Sequence, residues 1–154
     1  MTLHFAYGAN MSRAVMRRYA PAARALGVAT LAAHRFVITG DGYASVVPAA
    51  GRSVHGVLWR LTLRDRVTLD GWENVAGGLY RAAMLLVVHE GRRVPALVYL
   101  ARLREEGRPK PGYMKTVIAA AREWSLPAPY LHSLQQWSPT AWLSERSGKT
   151  GDFA

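Results

Sequence analysis

The fold of this chain is decided near its N-terminus by the stretch Leu3-His4-Phe5-Ala6-Tyr7-Gly8-Ala9-Asn10-Met11. Its first five residues have the composition of a short strand, which Gly8-Ala9-Asn10 interrupts. Apolar residues then recur at helical spacing over residues 11–19, and either Asn10 or Ser12 is placed to cap this helix. The chain therefore opens with a strand, a glycine turn and a helix.

This opening turn is the first candidate for chemistry. Where a strand turns through a glycine into a helix, several backbone N–H groups lack partners, and together with the helix dipole they attract a carboxylate or an oxyanion. A single glycine is too few for a dinucleotide-binding fingerprint, and the turn has no phosphate-loop Gly-Lys-Ser/Thr. The local pattern alone favours a plain turn at Gly8 with Asn10 as a cap.

The rest of the chain alternates short strands with a few helices. Strand character appears over residues 26–31, 34–39, 44–47 and 54–61, and a hairpin is predicted over 80–89 and 93–100. Helices are expected from Thr62, over 113–124 and over 131–136. The pattern predicts a single α+β domain over residues 1–143, a small mixed β-barrel with flanking helices, followed by a frayed polar tail at 144–154.

Composition narrows the class of protein. With 154 residues, half of them hydrophobic, the chain is long enough for one packed domain and too apolar to be disordered. It has no cysteine, which excludes disulfides and thiolate chemistry. No apolar run approaches the roughly 20 residues that span a bilayer, and no signal-type segment opens the sequence, so we expect a cytoplasmic protein without a membrane partner.

The net charge of +10, from 20 basic and 10 acidic residues, raises the question of an anionic partner. Such an excess suits nucleic acid, a membrane surface or an anionic substrate. The basic residues are scattered, however, and no recognised nucleic-acid-binding motif accompanies them. We therefore expect a solvated basic surface and no nucleic-acid partner.

Two further features are candidates for a site. Glu73 lies between Trp72 and an apolar turn, where desolvation would raise the pKa of its carboxyl and suit it to act as a general base, although most glutamates face solvent. Four tyrosines fall on predicted strands or at a helix start, and they form either core aromatics or a polar ring around a small pocket. These are Tyr7, Tyr80, Tyr99 and Tyr113. The histidines form no pair at i, i+4, so no metal site is expected.

Four segments, taken in order and spacing, form one larger pattern. They are Phe5-Ala6-Tyr7-Gly8-Ala9-Asn10-Met11, Val54-His55-Gly56-Val57-Leu58-Trp59-Arg60-Leu61, the stretch from Leu69-Asp70 through Glu73 to Gly77-Gly78-Leu79-Tyr80-Arg81, and Pro109-Lys110-Pro111-Gly112-Tyr113 with the segment up to Pro127. This pattern resembles the γ-glutamylcyclotransferase-like (AIG2-like) family over about residues 3–134.

The resemblance implies a β-barrel with a cavity at one mouth, and an enzyme that needs no cofactor. Such an enzyme releases 5-oxoproline and a free amine from a small-molecule γ-glutamyl substrate, as the substrate's own α-amine attacks its γ-carbonyl. By match, Glu73 is the catalytic acid/base. The substrate-binding residues are, by match, Tyr7, Gly8, Ala9, Asn10, Met11, Tyr80, Tyr99 and Tyr113.

Two departures from the family pattern keep other functions open. Ala9 stands where many members have serine, and Trp72-Glu73-Asn74 replaces the commoner Tyr-Glu-Gly. Both favour a non-catalytic metabolite-binding protein on the same barrel as the alternative, with a basic nucleic-acid binder behind it. A basic rim would suit an anionic substrate. The sequence leaves the leaving amine and the oligomeric state open.

Overall fold

The computed structural model describes residues 1–102 and 105–138. The strands are β1 (Thr2–Ala6), β2 (Arg24–Ile38), β3 (Ala44–Leu61), β4 (Tyr80–His89) and β5 (Arg92–Ala101). The helices are α1 (Arg13–Tyr19), α2 (Leu63–Trp72), α3 (Tyr113–Glu123) and α4 (Ala128–Gln135), and a single 3₁₀ turn, Ala9–Met11, precedes α1. The predicted domain end at 143 and the tail at 144–154 lie outside the described residues.

The five strands close into a barrel in the order β1-β3-β2-β4-β5. Four of the neighbouring pairs run antiparallel, and β1 closes the barrel against β5 in parallel, with His4 opposite Leu97. The predicted fold, a mixed barrel with flanking helices, is therefore confirmed. Closure removes open sheet edges and leaves two mouths at which loops gather.

The four short strands expected between residues 26 and 61 are instead two long ones, and that expectation was wrong. The register of β2 with β3 skips from Ala32 opposite Ser53 to His34 opposite Pro48. Ala33 adopts a left-handed φ of 59° at this irregularity. A bulge of this kind bends a strand and increases its twist without ending it, as a long strand wrapping a small barrel requires. The break in the sequence pattern near Ala33, which suggested that one strand ended and another began, therefore marks a bend within β2.

The helix starts follow the capping chemistry. Ser12, one of the two predicted caps, accepts a hydrogen bond from the N–H of Val15 and starts α1 after the 3₁₀ turn. Thr62 caps α2 in the same way through the N–H of Asp65. Asn10, the other predicted cap, lies within the 3₁₀ turn and does not cap α1.

The hydrophobic core fills the barrel and extends beneath α3. Phe5, Leu58 and Leu97 are at most 1% exposed inside the barrel, and Val117 joins the same cluster from α3. At the end of α3, the indole N–H of Trp124 donates to the carbonyl of Met11 at 2.8 Å. The core therefore holds α3 against the turn that follows β1.

Candidate active site

A cavity of about 420 Å³ opens where β1 ends and its turn begins. The residues that line it come from β1 and its turn, α1, the end of α2, and strands β3 to β5, with α3 closing one side. They are His4, Phe5, Ala6, Tyr7, Gly8, Ala9, Asn10, Val15, Tyr19, Tyr43, Ala44, Trp72, Glu73, Leu79, Tyr80, Tyr99, Tyr113 and Thr116. The cavity thus gathers segments that are far apart in sequence, as ligand sites at barrel mouths do.

The glycine turn is shaped by Tyr113, the first residue of α3. A Cβ added at Gly8 would lie 2.7 Å from the Tyr113 hydroxyl, so only glycine lets the ring approach the turn this closely. The backbone N–H of Ala44 donates a hydrogen bond to that hydroxyl oxygen at 3.3 Å. Tyr113 therefore fixes the turn from one side, and Trp124 fixes it from the far end of the same helix.

Glu73 is the residue at the C-terminal end of α2, where its N–H donates to the Leu69 carbonyl at 2.8 Å. Its carboxylate points into the cavity and accepts a hydrogen bond from the Asn10 side-chain amide at 3.3 Å. Burial raises the pKa of the Glu73 carboxyl from 4.5 to about 7, with the Asn10 hydrogen bond acting in the opposite direction. Asn10 thereby ties the turn after β1 to the carboxylate.

The four tyrosines all line the cavity, and each hydroxyl has a protein partner. The hydroxyl of Tyr7 donates to the Tyr99 carbonyl, and that of Tyr80 donates to the Ala44 carbonyl at 2.6 Å. Burial raises the pKa of all four hydroxyls above the ordinary value, so they stay protonated at neutral pH. The four tyrosines are therefore both core aromatics and a polar ring around the cavity.

Two polar residues that contact Tyr99 were missed by the sequence reasoning. The Tyr99 hydroxyl donates to a carboxylate oxygen of Asp70 at 2.6 Å, one helical turn before Glu73. His4 is 2% exposed, and its Nδ1 lies 3.1 Å from the Leu97 carbonyl oxygen. Among the residues that the structure describes, its Nε2 has no hydrogen-bond partner. Burial lowers the pKa of His4 to about 4, so its ring is neutral. The only sequence signal for Asp70 was its place in the Leu69-Asp70 to Glu73 motif.

The outer part of the cavity is aromatic, and this was also missed. Trp72 is 54% exposed and packs against Tyr19 with ring centroids 4.0 Å apart. Tyr43 lines the same cavity, in edge contact with Tyr113. These residues looked like ordinary surface or core aromatics in the sequence, because nothing local relates the end of α1 to the end of α2.

One proposed substrate-binding residue lies apart from the others. Met11 is fully buried behind the turn, and its N–H donates to the Gly8 carbonyl at 3.1 Å. Tyr7, Gly8, Ala9 and Asn10 do face the cavity, as do the three later tyrosines and Glu73. The arrangement brings seven of the eight proposed binding residues and the proposed base to one space.

The many arginines of this chain do not line the cavity, as far as the described residues go. Its lining there contains no arginine or lysine, and Glu73 is its single acid. These lining residues therefore do not form the basic rim that would suit an anionic substrate. None of the helices among residues 1–102 and 105–138 has the length and apolar character that crossing a bilayer demands.

Comparison with known proteins assigns the chain to one family. The model of the AIG2-like family matches residues 53–134, more than half of the chain, and the chain belongs to that family. It is 29% identical to the gamma-glutamylcyclotransferase of Mus musculus, over 97% of this chain and 84% of that protein. The corresponding protein of Homo sapiens is 27% identical, over 98% of this chain and 86% of its own length.

A solved structure supports the same assignment. The structure described as a gamma-glutamyl cyclotransferase superposes with a TM-score of 0.83 at 26% identity, covering 89% of this chain and 88% of that one. Sequence relatives and barrel geometry therefore agree on the family that the motifs had indicated.

Proposed function

We propose that this chain is a γ-glutamylcyclotransferase-type enzyme that converts a γ-glutamyl amine or γ-glutamyl amino acid into 5-oxoproline and a free amine. The observation that carries the proposal is the half-buried Glu73 carboxyl, with a pKa of about 7, facing the glycine turn across one cavity. The relatives named for this activity support it. The proposed substrate is a small molecule in the cytoplasm.

The reaction needs one group that can both take and give a proton. Glu73 accepts a proton from the substrate's α-ammonium, and the freed amine attacks the γ-carbonyl carbon to form the lactam C–N bond. Glu73 then returns the proton to the departing nitrogen as the original amide C–N bond breaks. The second proton of the attacking nitrogen passes through the regenerated Glu73 carboxylate to the free amine, which leaves as an ammonium ion. A carboxyl with a pKa of about 7 exchanges protons in either direction near neutrality. Because nucleophile and electrophile belong to one molecule, the reaction as proposed needs no co-reactant.

The remaining cavity residues would position the substrate. In this proposal the turn over residues 8–10 holds the γ-glutamyl end, with those of its backbone N–H groups that have no partner within the protein directed at the α-carboxylate or at the oxyanion that develops on the γ-carbonyl. The hydroxyls of Tyr80 and Tyr113 lie beside the turn, anchored through Ala44. Holding the γ-glutamyl group of the substrate in a bent conformation, with its amine close to its own carbonyl, lowers the activation barrier by several kcal/mol. In the best-oriented intramolecular reactions this contribution is of order 7–11 kcal/mol.

Product detection tests the proposal. The purified protein is incubated with a panel of γ-glutamyl amino acids and γ-glutamyl amines, and 5-oxoproline is measured by mass spectrometry. We expect 5-oxoproline and the free amine in equal amounts. If no panel member is consumed while 5-oxoproline binds the protein, the chain is the non-catalytic binding protein instead, and the proposal is wrong.

The pH dependence of turnover follows from Glu73. The carboxyl must be ionised to accept the proton, so kcat/KM is expected to rise about tenfold per pH unit below its pKa of about 7 and to level off above it. Initial rates at pH 5 to 8.5 with a fixed γ-glutamyl substrate measure this profile. A rate that is flat from pH 5.5 to 7.5 would show that Glu73 does not set the activity.

A further inference from the structure

Tyr19 and Trp72 stack on each other at the outer end of the cavity, and the outward side of the Trp72 indole, backed by Tyr19, is an exposed aromatic surface. The two rings lie 4.0 Å apart between centroids, with an angle of 32° between their planes. Trp72 is 54% exposed, and Val15, one helical turn before Tyr19, extends the same wall. A large indole left half in solvent beside a cavity offers apolar area that a bound group can cover.

The position of this surface relates it to one end of the substrate. Trp72 directly precedes Glu73 and ends α2, while Tyr19 ends α1. Under the proposed function, the γ-glutamyl group lies inward against the buried turn at Gly8. Its γ-carbonyl faces Glu73, so the departing amine extends outward past Glu73 toward Trp72. The aromatic surface is therefore where the side group of the leaving amine lies.

The charges of the outer cavity decide which side groups fit. The half-buried and exposed lining residues other than Glu73 and Ala9 are Val15, Tyr19, Tyr43, Trp72, Leu79, Tyr113 and Thr116, and none of them carries a charge at neutral pH. Over the described part of the lining, a basic side group would have only Glu73 as an ionic partner, and an acidic one would have none. An acidic side group loses hydration here without any ion pair and a basic one with Glu73 alone to pair with, whereas aromatic groups gain contact.

We propose that the enzyme selects substrates whose leaving amine carries an aromatic or large apolar side group, which packs against the exposed indole of Trp72 that Tyr19 backs. This inference rests on the proposed function and names its substrate class. It assigns Trp72 the main role, because Trp72 is the more exposed of the two rings and lies next to Glu73.

The test compares γ-glutamylphenylalanine with γ-glutamylalanine, which share the reacting atoms and the leaving-group carboxylate. We expect kcat/KM to favour the phenylalanine substrate by about tenfold, the size of one stacking contact plus its apolar area. Trp72→Ala is expected to reduce this ratio to about twofold or less, while Trp72→Phe keeps most of it. Met84→Ala removes an exposed apolar side chain on β4, outside the cavity, and is the matched control with an unchanged ratio.

Each failure points to a different conclusion. Equal kcat/KM for the two substrates, or a preference for γ-glutamylglutamate or γ-glutamyllysine, overturns the proposed selectivity and leaves the 5-oxoproline reaction standing. A phenylalanine preference that survives Trp72→Ala shows that the aromatic surface does not cause it. Absence of 5-oxoproline from every substrate overturns the proposed function and the inference with it.

Discussion

Glu73→Gln is expected to lower kcat for 5-oxoproline release by roughly 10²- to 10⁴-fold, the usual contribution of a positioned acid/base. Glutamine keeps the length of the side chain and an oxygen that accepts the Asn10 hydrogen bond, which spans 3.3 Å in the parent protein. It cannot take the proton from the substrate's ammonium, and a charged amine does not attack a carbonyl. KM is expected to change far less than kcat, because the turn and the tyrosines that we propose as substrate contacts stay in place.

The stability of this variant separates lost chemistry from lost structure. The folded-state pKa of Glu73, about 7, lies above its ordinary 4.5, so the folded protein holds this proton more tightly than the unfolded chain does. As the pH rises from 4.5 to 7, ionisation increasingly favours unfolding, and this cost persists at higher pH. Removing the charge removes that cost. Glu73→Gln is therefore expected to have a Tm at pH 8 at or above that of the parent.

The matched control is Glu90→Gln, at the turn between β4 and β5. Its carboxylate side chain is 81% exposed and its nearest ionic partner, His89, is 3.9 Å away. We expect activity and Tm to match those of the parent. Turnover by Glu73→Gln within about threefold of the parent, with the fold intact, would remove Glu73 from the catalytic role.

Much of the site could be predicted because its residues lie in short motifs with local physical meaning. A glycine between a strand and a helix marks a sharp turn, and a tyrosine after a proline-rich connector marks the start of α3. Glu73 was a candidate because packing beside Trp72 would desolvate its carboxyl, although its local pattern alone favoured a solvent-facing acid. The family pattern then related these motifs to one another, which their sequence spacing alone does not.

What could not be predicted depends on contacts between distant segments. The Tyr19–Trp72 pair forms because α1 and α2 end at the same mouth of the barrel. The contact of Tyr99 with Asp70 requires the register of β5 beside α2. The two long strands were divided in the sequence reasoning because a bulge at Ala33 and a strand end carry the same local signal.

Gly56→Ala is expected to destabilise the fold by about 3 kcal/mol, the upper part of the range for overpacking a dense core. Gly56 lies in β3, and a Cβ there would stand 2.3 Å from the Ala6 carbonyl oxygen and 2.8 Å from the Phe5 ring. A flexible side chain could move aside, but the nearest obstacle is the backbone of β1, which is hydrogen-bonded into the barrel. The close packing of β1 against β3 thus explains why the Val54 to Leu61 motif has a glycine at position 56.

The displacement would also reach the site, because Ala6 directly precedes Tyr7 and the turn at Gly8. Chemical denaturation measures the loss in free energy of unfolding, and 5-oxoproline release below the transition measures the effect on the turn. Gly71→Ala is the matched control, since a Cβ there meets nothing within 4 Å inside α2. It is expected to stabilise the protein by up to about 1 kcal/mol, as glycine-to-alanine changes in helices do. Equal stability of the two variants would show that β1 and β3 are not packed this closely at Gly56.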